Sequence, residues 1–388
     1  MKIAYFAGTM IEDGVTKVLL RLAQHAVKNG HEAIIITGYI KPEIKSPVKV
    51  ITVPAVKFPL YKDYRLTTPG RLYFASILKE FKPDLLHLHS PDPLSWAALN
   101  YGRRHKIPVL ITHHTAFDRY LPYYRLAWLE PLVWDLLGRL YNRASLVDVP
   151  SPLIASDLRQ HGIKNLAVIP WGIDLQLFNP SQADNKWREE VTGGEPQPII
   201  LYAGRLTREK DLKTLAAVYQ ALRRLNDPTV APGAKAFQMV VAGDGPARAE
   251  LEGLMPGAIF TGHLDHARLA EVYAASDIFL FPSSTDNFPL VIMEALASGL
   301  VPVVADRGGA PSAIIHQENG LICRACDASE FARQVQGLLD DPAALSRLKK
   351  AAYQSAQEYD WEKILTRIFK LYDDLVSRPP KPKKNRRW

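Results

Sequence analysis

Two carboxylates, Asp286 and Glu294, bracket the run Asp286-Asn287-Phe288-Pro289-Leu290-Val291-Ile292-Met293-Glu294, and Ala-Leu-Ala-Ser-Gly and the apolar stretch Leu300 to Val304 follow it. The preceding Ser276 to Pro282 has the character of a buried strand ending at a proline, which puts Asn287 to Leu290 at a strand-to-helix crossover. Backbone amides at such a helix start are available to an anion. Glu294 falls one to two turns into the helix while Asp286 stays on the loop, so the two acids can touch different parts of one elongated ligand.

Apolar runs alternating with helical segments must position these groups, and that alternation predicts a doubly wound α/β architecture. Strands are expected at Lys2 to Ala7, Glu32 to Thr37, Leu85 to His89, Val109 to Thr112, Leu146 to Pro150 and Ala167 to Pro170, with an amphipathic helix over Val15 to Asn29. A second series is expected at Pro198 to Ala203, Gln238 to Ala242, Ala258 to Phe260, Ile278 to Phe281 and Val301 to Val304. The polar stretch 181–197, with Gly193-Gly194, reads as a linker. The division is therefore a Rossmann-like domain over 1–180, the linker over 181–197, a second Rossmann-like domain over 198–360, a final helix over 361–377 and a basic tail over 378–388.

At 388 residues and 47% hydrophobic content the chain can bury two cores. No stretch approaches the roughly 18 uncharged apolar residues of a membrane-spanning helix. Met1 to Met10 is followed by Glu12 and Asp13, which favours a first strand over a signal peptide. Cys323 and Cys326 form a C-x-x-C without a second pair to complete a zinc site, so they are taken as residues of a connecting loop. Residues 1–180 hold 22 Lys/Arg and 14 Asp/Glu, residues 181–377 hold 20 and 26, and the tail adds six basic residues and no acid. One face directed at an anionic surface is expected from this partition. No nucleic-acid module is recognisable, so nucleic acid is not an expected partner.

Generic phosphate motifs fail on inspection. Gly8-x5-Gly14-Val15-Thr16 lacks the Gly-Lys-Ser/Thr ending of a Walker loop, and Gly243-Asp244-Gly245-Pro246 lacks the third glycine of a dinucleotide fingerprint. Gly14 instead reads as the glycine of a loop opening a helix, where backbone can approach a phosphate.

The acid pair resembles the acid-x7-Glu motif of retaining, nucleotide-sugar-dependent glycosyltransferases of the GT-B fold, family 4. Gly204-Arg205-Leu206-Thr207-Arg208-Glu209-Lys210-Asp211 is similar to that family's Gly-Arg-x4-Lys-Gly element, with Asp211 where glycine is usual. Val241 to Pro246, Pro170 to Asp174 and Thr112-His113-His114-Thr115 sit in the family's order, and the resemblance spans residues 1 to 365. It implies two Rossmann-like domains facing across a cleft, a nucleotide-diphosphate sugar donor and no required metal or other cofactor. It also implies that the final helix packs back toward the first domain.

The same resemblance implies the site. Arg205 and Lys210 stabilise the diphosphate leaving group, and Gly14 approaches its β-phosphate. Asp286 binds sugar hydroxyls, Glu294 the ribose, and His114 the sugar near its C6 hydroxyl. Gly204, Gly243, Leu264, Asn287, Phe288, Leu290 and Val291 complete the donor cradle, with Pro289 in place of the commoner glycine removing one amide donor. His113, His87 and His89 could also be imagined as metal ligands, since His-x-His on a strand puts both rings on one face. Because no convincing carboxylate nucleophile is evident, a front-face substitution assisted by the leaving phosphate fits better than double displacement.

For the acceptor, Arg119, Tyr120, Tyr123, Tyr124, Trp128 and Arg139 mix aromatic rings and cations around an apolar face at Val133, Leu136, Leu137 and Leu140, divided by Pro131. Such a face suits a membrane interface or a core contact with snorkelling arginines. Thr112 to Leu121 resembles the lipid-modifying members of the family. A UDP-glucose-type donor, a membrane glycerolipid acceptor and a cytoplasmic, peripheral location on anionic lipid follow as expectations. The alternatives are a soluble or polysaccharide acceptor, or a protein that binds a nucleotide sugar without turning it over.

Overall fold

A computed structural model describes residues 1–57, 65–68, 70–114, 126–227, 229, 236–286 and 288–377, without the side chains of Arg71 and Leu72. The chain divides into two compact units. Among the described residues the first comprises those of 1–114, 127–170 and 364–377, the second Leu126 and Trp171–Lys363.

The first unit is built on β1 (Lys2–Ala7), β2 (Glu32–Thr37), β3 (Lys49–Thr52), β6 (Leu85–Leu88), β7 (Val109–Thr112), β8 (Leu146–Val149) and β9 (Leu166–Val168). All pair in parallel, in the order β3-β2-β1-β6-β7-β8-β9. The central strands are apolar on both faces because helices cover both sides. Between them β4 (Ala55–Lys57) and β5 (Arg65–Thr67) form a separate antiparallel pair. One helix, Gly14–Lys28, buries Val18, Leu19, Leu22, Ala23 and Ala26 at the three-to-four-residue spacing of a core-facing stripe. The final helix, Trp361–Ser377, belongs to this unit from Ile364 onward. Its Phe369 ring lies 4.7 Å from His25 and 5.4 Å from His31.

The second unit holds β10 (Ile199–Ala203), β11 (Gln238–Ala242), β12 (Ile259–Gly262), β13 (Ile278–Phe281), β14 (Val301–Ala305) and β15 (Leu321–Cys323). Their order is β12-β11-β10-β13-β14-β15, again parallel. Both sheets reverse their strand order beside their first strand, and in open α/β sheets ligands bind at the carboxyl ends of strands near such a point.

Two sequence expectations change here. The stretch 181–197 is folded: it contains the helix Asn185–Thr192, whose Trp187 is buried and whose Arg188 bonds Asp277 at 2.9 Å. The boundary between units therefore falls between Pro170 and Trp171. Cys323 ends an edge strand and is buried, while Cys326 is exposed and adopts φ +62°. Pro131 opens the second of the two expected helical pieces, and the expected first piece falls largely on 115–125, outside the described residues. It occupies the first turn of the helix Glu130–Tyr141, where its missing N–H costs nothing.

Candidate active site

In the first unit the polar groups sit beyond the ends of β1, β6 and β7. The loop after β1 turns into the helix at Gly14, with Asp13 as N-cap accepting from the Thr16 amide at 2.8 Å. Gly8 N–H donates to Ser90 Oγ at 2.9 Å, which ties this loop to the end of β6.

The alternation along β6 brings His87 and His89 to one face, with ring centroids 4.1 Å apart. His87 bonds the Thr112 hydroxyl at 2.7 Å and the Tyr372 hydroxyl at 2.8 Å, so both ring nitrogens are engaged. His89 Nδ1 lies 2.8 Å from His114 Nε2 with the rings stacked. A neutral imidazole carries one N–H and one lone pair, so in this pair one ring donates and the other accepts. Burial first, then the neighbouring rings, holds His87, His89 and His114 well below the usual His range. His114 is thus a buried, neutral group rather than an open edge residue. His113 points elsewhere and bonds the Tyr141 hydroxyl at 2.8 Å, anchoring the helix Glu130–Tyr141. Burial likewise pushes the Asp148 carboxyl well above the usual range, with Thr112 as a hydrogen-bond partner.

In the second unit the loops after β10, β11 and β13 converge. Gly204 and Gly243 face each other so closely that a Cβ on Gly243 would lie 1.9 Å from the Gly204 carbonyl, which excludes any side chain there. Lys210 ends a short turn, and its side chain, only 11% exposed, forms an ion pair with Asp286 at 2.5 Å. Asp286 Oδ2 also accepts from Ser283 Oγ at 2.7 Å. Thr285 Oγ donates to the Glu209 carbonyl at 3.0 Å, so two loops far apart in sequence are laced together at the ion pair. Asp211 takes φ +53°, a left-handed conformation that explains why glycine is usual at this position and why an Asx residue can replace it.

Pro289 is the N-cap of the helix Leu290–Ala297 and makes no side-chain cap, leaving the first-turn amides of Leu290 and Val291 for a ligand. Phe288 is buried against Trp171, with ring centroids 5.9 Å apart. Glu294 is buried within this otherwise apolar helix, and burial first, then the nearby Glu294, raises the pKa of the Tyr273 phenol. It is not a helix-surface acid. Leu264 lies just past β12, on the loop whose Gly262 carbonyl accepts from Gly243 N–H at 2.8 Å.

Lys210, Asp286, Gly204 and Gly243 are thus brought together in the second unit, as are Phe288, Leu290, Val291 and Glu294 around one helix start. Arg205, expected beside Lys210, is 58% exposed with Glu209 at 4.0 Å, whereas Lys210 is held by the carboxylate expected on the sugar. Sequence reasoning offered His89 only as an imaginable metal ligand and passed over Ser283 and Thr285. His89 was signalled by its alternation with His87, while no local pattern marks the two hydroxyls. Among the described residues no group of three or more His, Cys, Asp or Glu is arranged to hold a metal ion.

Of the residues expected at a membrane, Trp128 is 74% exposed, and Leu132 and Leu136 continue the stripe at four-residue spacing at 54% and 46%. Leu136 therefore faces solvent, and the buried face is Leu137, Leu140 and Tyr141. Arg139 bonds Asp135 on the exposed side. Arg119, Tyr120, Tyr123, Tyr124, Asn287 and the tail 378–388 lie outside the described residues.

The model of Glycosyltransferase Family 4 matches residues 13–177, and that of Glycosyl transferases group 1 matches residues 183–355. A GDP-mannose-dependent alpha-mannosyltransferase of Corynebacterium glutamicum is 30% identical over 97% of this chain and 90% of its own. An alpha-monoglucosyldiacylglycerol synthase of Streptococcus pneumoniae is 26% identical over 79% and 71%. The solved structure of a sucrose-phosphate synthase from Thermosynechococcus elongatus superposes with a TM-score of 0.78 at 23% identity, covering 97% of this chain and 99% of that one, a likeness of fold. Two parallel Rossmann-like sheets, the converging loops and these matches together identify the chain as a hexosyltransferase of the GT-B fold, belonging to glycosyltransferase family 4 and using a nucleotide-sugar donor.

Proposed function

We propose that this enzyme transfers a hexose, with retention of configuration, from a nucleotide-diphosphate sugar to a hydroxyl of a membrane glycerolipid. The exposed stripe Trp128, Leu132 and Leu136 on the basic first unit is the observation that carries the lipid reading. An unpartnered aromatic and aliphatic stripe on a cationic surface suits an anionic bilayer interface. The name of the diacylglycerol-glucosylating relative points the same way.

The ion pair argues for a front-face route. Asp286 is engaged by Lys210 through one oxygen and by Ser283 through the other, so it is not poised as a nucleophile against a sugar ring. Lys210, on the turn after β10, supplies positive charge to the departing diphosphate, and the Leu290 and Val291 amides add neutral donors. Glu294 holds the ribose hydroxyls. On the acceptor side, neutral His114 hydrogen-bonds the sugar without adding charge where positive character develops at the anomeric carbon.

A donor panel headed by UDP-glucose and GDP-mannose, offered with glycerolipid vesicles and read by mass spectrometry and by the anomeric NMR coupling, tests this reading. Transfer giving the α-product supports it. An inverted product, or turnover only with soluble sugars, rejects it. Replacing Trp128, Leu132 and Leu136 with serine should weaken vesicle flotation severalfold.

A further inference from the structure

A cavity of about 620 Å³ opens in the first unit at the carboxyl ends of β2 and β3, lined among others by Tyr39, Thr52, Arg65, Gly70 and Tyr73. Arg65 is the only charged side chain among its described lining residues. Its guanidinium lies over the Tyr39 ring at 3.9 Å. Stacking uses the face of the guanidinium and leaves the in-plane N–H edge free to meet a ligand. The neighbouring cation, Lys41, is already engaged by Glu12 at 3.1 Å and Glu43 at 3.8 Å. Arg65 has no carboxylate partner among the described residues.

Both halves of the stack are fastened to the loop that leads to Gly14. Arg65 N–H donates to Thr9 Oγ at 2.9 Å, and the Thr9 hydroxyl donates to the Arg65 carbonyl at 3.2 Å. Met10 N–H donates to the Tyr39 carbonyl at 2.8 Å, and Lys41 N–H to that of Met10 at 3.0 Å. Gly38 beside them admits no side chain, since a Cβ would meet Thr67 at 2.6 Å. The cation is therefore held in place before any ligand arrives, next to the loop expected to approach the donor.

We propose that this cavity is an anion subsite of the acceptor: Arg65, braced on Tyr39, binds a phosphate oxygen pair of the acceptor's head group. The enzyme's acceptor is then an anionic phospholipid rather than neutral diacylglycerol. A planar guanidinium matches two phosphate oxygens at once, and a neutral diacylglycerol offers it nothing comparable. The inference rests on the lipid-acceptor reading for the transfer step but not for anion binding.

The test uses the full chain, its Arg65→Ala variant and Arg65→Lys, which keeps charge but loses the planar fork. Calorimetric titration with glycerol 3-phosphate should show binding by the parent, at least tenfold weaker in Arg65→Ala and intermediate in Arg65→Lys. Transfer is then measured on phosphatidylcholine vesicles doped with either phosphatidylglycerol or diacylglycerol. The ratio of kcat/KM on the anionic over the neutral lipid should favour the anionic one and fall at least tenfold in Arg65→Ala. Glycosylation of free glycerol 3-phosphate but not of vesicles assigns the subsite to a soluble phosphate. Arg65-dependent binding without transfer to either lipid rejects the lipid-acceptor reading and leaves the anion subsite standing. Binding of glycerol 3-phosphate that ignores Arg65, its displacement by UDP alone, or a lipid ratio unmoved by Arg65→Ala overturns the proposal.

Discussion

The two units solve the burial of polar groups in opposite ways. In the first unit His87, His89 and His114 lie in a network of uncharged hydrogen bonds, and burial keeps the rings neutral. In the second, Lys210 and Asp286 remain an ion pair on two laced loops. A diphosphate needs full charge opposite it while sugar hydroxyls need only donors and acceptors, which is the division that the proposed function assigns to the two units. Buried ions are tolerated where each has a partner, and burial itself favours the neutral form of a histidine ring.

The largest effect should come from breaking the ionic half. Lys210→Ala removes the cation proposed to face the leaving group and leaves Asp286 without its ion partner, and kcat should fall by about 10²–10³, as on loss of one preorganised donor. Steady-state transfer with a matched thermal melt separates this from misfolding, and a fall below tenfold would remove Lys210 from the chemistry. Glu294→Gln keeps the shape of the buried helix but would weaken the bonds proposed to ribose hydroxyls. Donor KM should rise roughly 10- to 100-fold, the worth of a hydrogen bond to a charged group, with a smaller change in kcat. An unaltered KM would assign Glu294 to packing against Tyr273 instead.

The neutral half should show itself in pH dependence. In the unfolded chain each histidine charges near pH 6.5, whereas in the fold it stays neutral well below that. The unfolded state therefore binds more protons as pH falls. The contribution of these rings to stability is complete above about pH 6.5 and is lost progressively toward their lower folded values. Denaturant melts between pH 7.5 and 5.5 should lose on the order of 1 kcal/mol per pH unit. A flat profile would mean that the rings charge freely and that the comparison fails. The smallest expected effect is Asp211→Gly, which relieves a left-handed residue and removes a buried carboxylate oxygen lacking a hydrogen-bond partner. After the entropy cost of glycine the gain should be about 0.5–1 kcal/mol, measurable as a shift in the denaturant midpoint.

Much of this architecture could be read from the sequence because the core strands are short apolar runs bounded by turns. Both series of expected strands, from Lys2–Ala7 through Val301–Ala305, are present with ends shifted by at most two residues. The strands left out, Lys49–Thr52, Ala55–Lys57, Arg65–Thr67 and Leu321–Cys323, are edge or hairpin strands of only three or four residues, the first three of mixed polarity. Their pairing comes from neighbours rather than from a local pattern. The misread segment 181–197 shows the complementary error. Its polar residues suggested a linker, yet Asp184 and Arg188 are polar because they pair with Arg268 and Asp277 on other elements. In the site, His87 and His89 were legible from alternation alone. The Lys210–Asp286 pair and the Arg65–Tyr39 stack join residues distant in sequence, and only the folded loops bring them together.

Pro289 has a consequence beyond the hydrogen bond it withholds. Its ring fixes φ, which stands at −71°, at the step where the loop becomes the Leu290–Ala297 helix. A glycine there would have to surrender backbone freedom each time a donor bound, whereas the proline has surrendered it during folding. The amides of Leu290 and Val291 are thus fixed in direction by the fold itself, and in the proposed donor role one lost contact would be exchanged for a smaller ordering entropy on arrival of the nucleotide sugar.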